Sequence, residues 1–283
     1  MKILVTGSNG QLGSEFKHLS EKSPYEFIFT SRANLDISDK ESVIRYFNQH
    51  HHFDFILNCA AYTAVDQAED EKDLAYKINQ EGVKNLATLC AQNNIKLIHF
   101  STDYVFDGSK STPYNEADDV SPQSIYGKSK LAGEKEIFEY DISALIIRTS
   151  WLYSKYGKNF VKSMIRLGRE KESLNIVFDQ VGTPTCAKDL AKVALDCISK
   201  HEKWDKQKKI YHFSNEGVCS WYDFALAIFD NHSIHCEIKP ILSADYPTKA
   251  PRPHYSVLSK EKIKSDFGIK IGHWSQALKS VKF

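Results

Sequence analysis

The 283-residue chain has almost no net charge: 37 Lys and Arg against 36 Asp and Glu leave +1. Without a field of one sign, general attraction to nucleic acid or to an anionic membrane surface has no basis. The one short basic run, Lys206-Gln-Lys-Lys209, reads as a solvated loop ahead of a strand. Cysteine is dispersed, and Cys59, Cys90, Cys186, Cys197, Cys219 and Cys236 form no Cys-x-x-Cys pair. That spacing excludes a zinc site of the ribbon type, and a chain of this size needs no disulfide framework, so most of the six are expected to be buried thiols. No window approaches the roughly 18 unbroken apolar residues of a membrane span. The sequence opens on a strand-like run, with neither the basic nor the apolar region of a signal peptide, which makes the reducing cytoplasm the expected compartment. Repeats and low-complexity segments are absent as well. The 42% hydrophobic and 26% charged shares are those of an ordinary folded chain, and the length has room for about two domains.

Glycine, by contrast, is concentrated where it carries meaning. Lys2-Ile-Leu-Val-Thr6 reads as a strand and runs straight into Gly7-Ser-Asn-Gly10-Gln11-Leu12-Gly13, which opens a helix from about Leu12 to Leu19. Glycines in a first strand-to-helix turn make the tight bend, admit a pyrophosphate to the backbone and let helix pack on strand. The helix N-terminus then offers free N–H groups to phosphate. A purely structural glycine turn is the plainer alternative. The next strand, Glu26–Thr30, ends at Ser31-Arg32. At that tip a carboxylate would hold a ribose 2′-hydroxyl and an arginine would accept a 2′-phosphate. Arg32 therefore favours NADPH, unless it merely faces solvent.

Strands and helices continue to alternate. Ser38 is the candidate N-cap of a helix over Lys40–Asn48. The strand Phe53–Asn58 leads to Cys59-Ala60-Ala61, small residues that let a cofactor approach the backbone. Helices over Asp73–Asn79 and Gly82–Asn93 precede the buried strand Ile95–Phe100, and Ser143–Arg148 is a further strand. This spacing predicts an α/β protein with a Rossmann-type doubly wound, mostly parallel sheet. After about residue 150 the rhythm weakens. Helices are expected over Asn159–Arg169, Ala187–Ser199 and Trp221–Phe229, a turn-rich loop at Asp179–Thr185, a returning strand at Ile210–Ser214, and irregular chain at Pro247–Pro253. The expected division is a cofactor domain over 1–150, rejoined by about 190–220, and a smaller α/β substrate domain over about 151–189 and 221–283.

The chemistry concentrates in Ser101–Lys130. Thr102 follows the buried strand, and strand ends are where ligands meet such sheets. Tyr126 and Lys130 are four apart, hence on one helix face. A phenol with an ordinary pKa of about 10 beside an ammonium is expected to be drawn down toward working pH and to donate a proton to a carbonyl. His99, in the strand, reads as a satisfied structural histidine without a role.

Gly7 to Gly13, Asn58-Cys-Ala-Ala-Tyr-Thr-Ala-Val-Asp66, Phe100-Ser-Thr-Asp-Tyr-Val-Phe-Asp-Gly108 and Tyr126-Gly-Lys-Ser-Lys-Leu-Ala-Gly-Glu134 together resemble the dTDP-4-dehydrorhamnose reductases, extended members of the short-chain dehydrogenase/reductase superfamily. Arg148-Thr-Ser-Trp151, Asn159-Phe160, Asp179-Gln180, Pro184-Thr185 and Arg252-Pro253 extend the resemblance over nearly the whole chain. It implies reduction of a nucleotide sugar's 4-keto group, giving dTDP-L-rhamnose, with NADPH or NADH as hydride source. It further implies that Tyr126 is the proton donor, that Lys130 lowers its pKa and meets the nicotinamide ribose, and that Thr102 bonds the reacting oxygen. Asp103, Tyr104 and Trp151 match substrate positions. Gly10, Gln11 and Leu12 match the pyrophosphate loop, Asp36 and Ile37 the adenine side, and Ala61, Tyr62 and Thr63 a cofactor contact. Cys59 departs from the usual alanine. Members of the family dimerise, some with Mg2+ at the interface, and nothing in this sequence identifies ligands for it. Trp151 reads equally as core, and Arg252 as either a diphosphate grip or a structural cap. Two other functions stay open: a non-catalytic subunit resembling the β subunit of methionine adenosyltransferase, and a 4-ketoreductase for another nucleotide sugar.

Overall fold

The structure is a computed structural model that describes residues 1–50 and 52–283. Its centre is a six-stranded sheet of β1 (Lys2–Thr6), β2 (Glu26–Phe29), β3 (Phe55–Asn58), β4 (Lys96–Thr102), β5 (Ala144–Thr149) and β6 (Lys208–His212). The order is β6-β5-β4-β3-β1-β2, and every pairing is parallel. Strands such as Ile3-Leu4-Val5 and Phe55-Ile56-Leu57 are apolar at consecutive positions because helices cover both faces. On one face α1 (Gln11–Ser20) and α7 (Ala187–Ser199) pack Phe16, Leu190 and Ala194 on Ile3 and Val5. On the other, α2 (Lys40–Gln49), α4 (Gly82–Asn93) and α5 (Ile125–Phe138) pack on Leu4, Ile56 and Leu97. The order reverses between β1 and β3, and the crevice beyond that point is where such sheets bind ligands.

Beyond β5 a separate apolar cluster gathers Val161 and Met164 of α6 (Phe160–Glu170), Phe224 and Ile228 of α8 (Trp221–His232), and Trp274. Short strand pairs frame it: Ser173–Val177 with Glu237–Ile241, Val181–Gly182 with Cys219–Ser220, and Leu152–Tyr153 with Thr185–Cys186. The expected turn-rich loop at Asp179–Thr185 therefore contains two short strands, held by long-range partners that local sequence does not reveal.

Other expectations need correcting. Asp39, not Ser38, caps α2, accepting from the Glu41 N–H; the Ser38 hydroxyl is spent on Asp36. Lys208 and Lys209 lie in β6 rather than a loop, and Lys208 Nζ donates to the Phe138 and Tyr140 carbonyls at the end of α5. The helix predicted to end at Asn79, α3 (Lys72–Tyr76), passes through a π turn at Lys77–Glu81 directly into α4. Four of the six cysteines are buried and all six are free thiols. Pro247–Pro253 forms no helix or strand, as three prolines in seven residues dictate.

Candidate active site

At the switch point the glycine loop is built as the sequence predicts. Gly7 has φ +62°, and a Cβ there would lie 2.6 Å from Ala60 N, so the loops after β1 and β3 meet backbone to backbone. A Cβ at Gly13 would lie 2.6 Å from the Gly7 carbonyl oxygen. Gly10 is the N-cap of α1 and carries no side-chain cap, which leaves the first-turn N–H groups free for an anion. This cradle fits a dinucleotide. The Leu12 side chain enters the core. The Gln11 side chain turns away to Leu152 O and Asn159, so only the backbone of these two residues faces the loop. Arg32 is exposed at the tip of β2 and donates to Asp36 at 3.0 Å. Ile37 is buried under Gly82. Ala60 and Ala61 are half-buried, Tyr62 is buried and Thr63 is exposed. Asn79, on the π turn, holds this loop by accepting from Tyr62 N and donating to Tyr62 O and Ser129. π turns recur at functional positions, but that one is invisible in the sequence.

Ser124 caps α5 by accepting from Gly127 N at 3.1 Å, which fixes where the helix begins and puts Tyr126 on its first turn. A Cβ at Gly127 would lie 2.2 Å from Tyr104 O, so α5 presses directly on the turn after β4. The Tyr126 and Tyr104 rings meet edge to face, centroids 5.5 Å apart. Thr102 accepts from Tyr104 N and donates to Asp103. Burial pushes the Tyr126 phenol up to about 12; the Thr102 hydroxyl beside it pulls the other way and Asp103 adds to the rise. The expectation that Lys130 draws this phenol down is thus not met. Lys130 Nζ instead donates to the Phe100 carbonyl at 2.7 Å and lies 3.3 Å from His99 Nε2. Burial lowers Lys130 itself to about 8, against the pull of Glu134 and Cys59. Lys130 is not among the groups that shift the Tyr126 phenol; burial and Asp103 outweigh the single opposing contact, that of Thr102.

Asp103 is buried and raised to about 6 by that burial, opposed by the Thr102 and Ser256 hydroxyls. Its Oδ2 has no hydrogen-bond partner among the described residues, and neither has Arg252 Nη1. Arg252 is anchored by donating to Asp66 at 2.6 Å and lies 6.0 Å from the Tyr104 ring. Trp151 stands at φ +47° just past β5, a conformation that a bulky residue holds only when its surroundings enforce it. It stacks on Trp221 at 3.5 Å, and a Cβ at Gly182 would reach both Trp151 and Ser256. Asp103, Ser256, Gly182 and Trp151 are therefore contiguous. Trp221 joins the site although its local sequence marks only a helix start, since only the fold brings it there. Among the described residues no group of three or more His, Cys, Asp or Glu is placed to hold a metal, and no helix is long and apolar enough to cross a membrane.

A tyrosine beside the end of a parallel strand, next to a glycine-lined switch point on a doubly wound sheet, is the arrangement of the short-chain dehydrogenase/reductase type of Rossmann protein. Residues 1–282 match the family described as the RmlD substrate binding domain, and the chain belongs to that family. The dTDP-4-dehydrorhamnose reductase of Aggregatibacter actinomycetemcomitans is 41% identical over 292 aligned positions, covering 99% of this chain and 98% of that protein. The crystal structure of the dTDP-4-dehydrorhamnose reductase from Clostridium acetobutylicum superposes with a TM-score of 0.94 at 43% identity, covering 99% of this chain and 97% of that one. The enzyme of that name from Bacillus anthracis, solved in complex with NADP, gives 0.92 at 38% identity over 98% and 97%.

Proposed function

We propose that this protein reduces the 4-keto group of dTDP-4-dehydro-6-deoxy-L-mannose to dTDP-L-rhamnose, preferring NADPH. The observation that carries the reading is the half-buried Tyr126 acid beside Thr102, with the buried carboxyl of Asp103 and the guanidinium of Arg252 on the neighbouring loops. The nicotinamide cofactor supplies the hydride. Gly7, Gly10 and Gly13, with the N-terminus of α1, hold its phosphates, while Ala60–Thr63 border the crevice and Lys130 meets its ribose. A phenol raised to about 12 stays protonated at neutral pH, which suits a group that must give its proton to the developing alkoxide. Thr102 steadies that oxygen by hydrogen bonding. Asp103, Tyr104, Trp151 and Arg252 orient the nucleotide sugar. On this reading the six-stranded sheet with its helices is the cofactor domain and the cluster around α6 and α8 is the substrate domain, in a cytoplasmic enzyme.

The test is NADPH oxidation by the purified protein with dTDP-4-dehydrorhamnose and other 4-keto nucleotide sugars, with products identified. No turnover on any of them, together with tight binding to a synthetase, would favour a regulatory subunit instead. Arg32→Ala is expected to raise the NADPH KM by about 10–100-fold, the roughly 1.5–3 kcal/mol of a charged hydrogen bond to the 2′-phosphate. The NADH KM should not change. Equal effects on both cofactors would remove Arg32 from the recognition of the 2′-phosphate.

A further inference from the structure

The reduction as described leaves a buried titratable side chain idle. His99 is fully buried on β4, and both its ring nitrogens are engaged: Nδ1 lies 3.0 Å from Asn58 Nδ2 and Nε2 lies 3.3 Å from Lys130 Nζ. The polarity of this chain can be followed from its far end. The Thr6 hydroxyl accepts from the Ala60 N–H and donates to Asn58 Oδ1 at 2.7 Å. That turns the Asn58 amide N–H toward His99 and makes Nδ1 the acceptor. A neutral imidazole then carries its proton on Nε2, aimed at Lys130. The network, not the ring alone, assigns the tautomer. An ammonium at Nζ has no lone pair to receive that proton. An amine has one, and still donates to the Phe100 carbonyl.

We propose that the Thr6–Asn58–His99 chain favours the amine form of Lys130 in the free protein and that the bound dinucleotide favours the ammonium, so that in alkaline solution a proton is taken up with the cofactor. The proposal rests on Lys130 meeting the cofactor as set out above. A dinucleotide brings phosphate anions to the neighbouring loop and ribose oxygens as acceptors, and both favour the charged lysine. The other charged or titratable groups facing Lys130 are Glu134 on its own helix and Cys59 at the end of β3. Glu134 is engaged by Arg148 through three contacts of 2.7 to 3.3 Å, which blunts its pull on the lysine. Burial accordingly dominates, and the free lysine changes state near pH 8. His99 acts through Lys130 and is a positioning residue.

The sign follows from linkage: the bound form prefers the ammonium, so uptake is small well below pH 8 and grows above it, and affinity weakens as pH rises. The experiment is calorimetric titration of the whole protein with NADPH, in buffers of different ionisation enthalpy, at about pH 6.5 and about pH 9. Wild type should take up close to one proton at the higher pH and almost none at the lower. Thr6→Val frees the Asn58 amide to turn, and His99→Gln can offer a carbonyl oxygen to the ammonium. Each should raise the free lysine's midpoint by about one pH unit, a tenfold change in the amine-to-ammonium ratio, and cut uptake at about pH 9 to roughly half. NADPH binding without proton uptake in wild type, or uptake unchanged in both folded variants, overturns the proposal. No NADPH binding at any pH overturns the cofactor reading and this inference with it.

Discussion

Tyr126→Phe is expected to lower kcat by roughly 10²–10⁴, the range for a lost general acid, while NADPH binding stays as in wild type. The substitution removes one oxygen and keeps the ring that packs edge to face on Tyr104, so the fold around the turn after β4 is retained. What disappears is the proton donor. Because burial holds the phenol at about 12, its own ionisation lies far above neutral pH and cannot produce a fall in rate near pH 8. A fall in kcat/KM for NADPH near pH 8 belongs to Lys130 of the free protein and should persist in the residual activity of the variant. Stopped-flow measurement of NADPH oxidation under single-turnover conditions separates the chemical step from binding. A variant with near wild-type kcat would take the proton-donor role away from Tyr126.

The largest expected effect on stability comes from a pair that does no chemistry. Arg148 on β5 donates to Glu134 on α5 through Nε at 3.0 Å and Nη2 at 2.7 Å, and the two side chains are 3% and 2% exposed. The guanidinium also lies 5.2 Å from the face of Phe106. Glu134→Ala leaves that cation buried without its hydrogen-bonded counter-charge, which should cost about 3–5 kcal/mol in urea unfolding. The double variant Glu134→Leu with Arg148→Met should recover most of the loss, because removing both charges also removes both desolvation penalties. A single-variant loss of about 1 kcal/mol or less, as for an exposed pair, would mean that water reaches the guanidinium. The pair matters beyond stability because it fixes α5 on the sheet, and α5 carries Tyr126 and Lys130.

Much of this protein was legible from local pattern. The glycine spacing after a first strand, the alternation of apolar runs with helical stretches and the four-residue step from Tyr126 to Lys130 all depend on neighbours within a turn or two. Physical chemistry at that range is nearly independent of the rest of the chain. The alternation of strands with helices at that spacing predicts a doubly wound, mostly parallel sheet, and the sheet is parallel throughout. Where local pattern misleads, the cause is local as well: Ser38 does not cap α2 because Asp36 takes its hydroxyl.

What sequence alone determined, then, is which residue types are available and which of them lie on one helix face or at one strand end. Their electrical state was decided by the tertiary structure. Whether Tyr126 is drawn down or pushed up depends on how much water the assembled site admits, and burial reverses the shift expected from a lysine four residues away. Lys130 in turn meets His99 and the Phe100 carbonyl, and burial lowers it to about 8. The contacts that build the substrate side join residues far apart in the chain: Arg252 reaches Asp66 across 186 positions. No spacing rule connects them, because their proximity is a property of the packed sheet and helices rather than of any segment. The choice of elements is local; the pKa values and the long-range polar contacts belong to the whole fold.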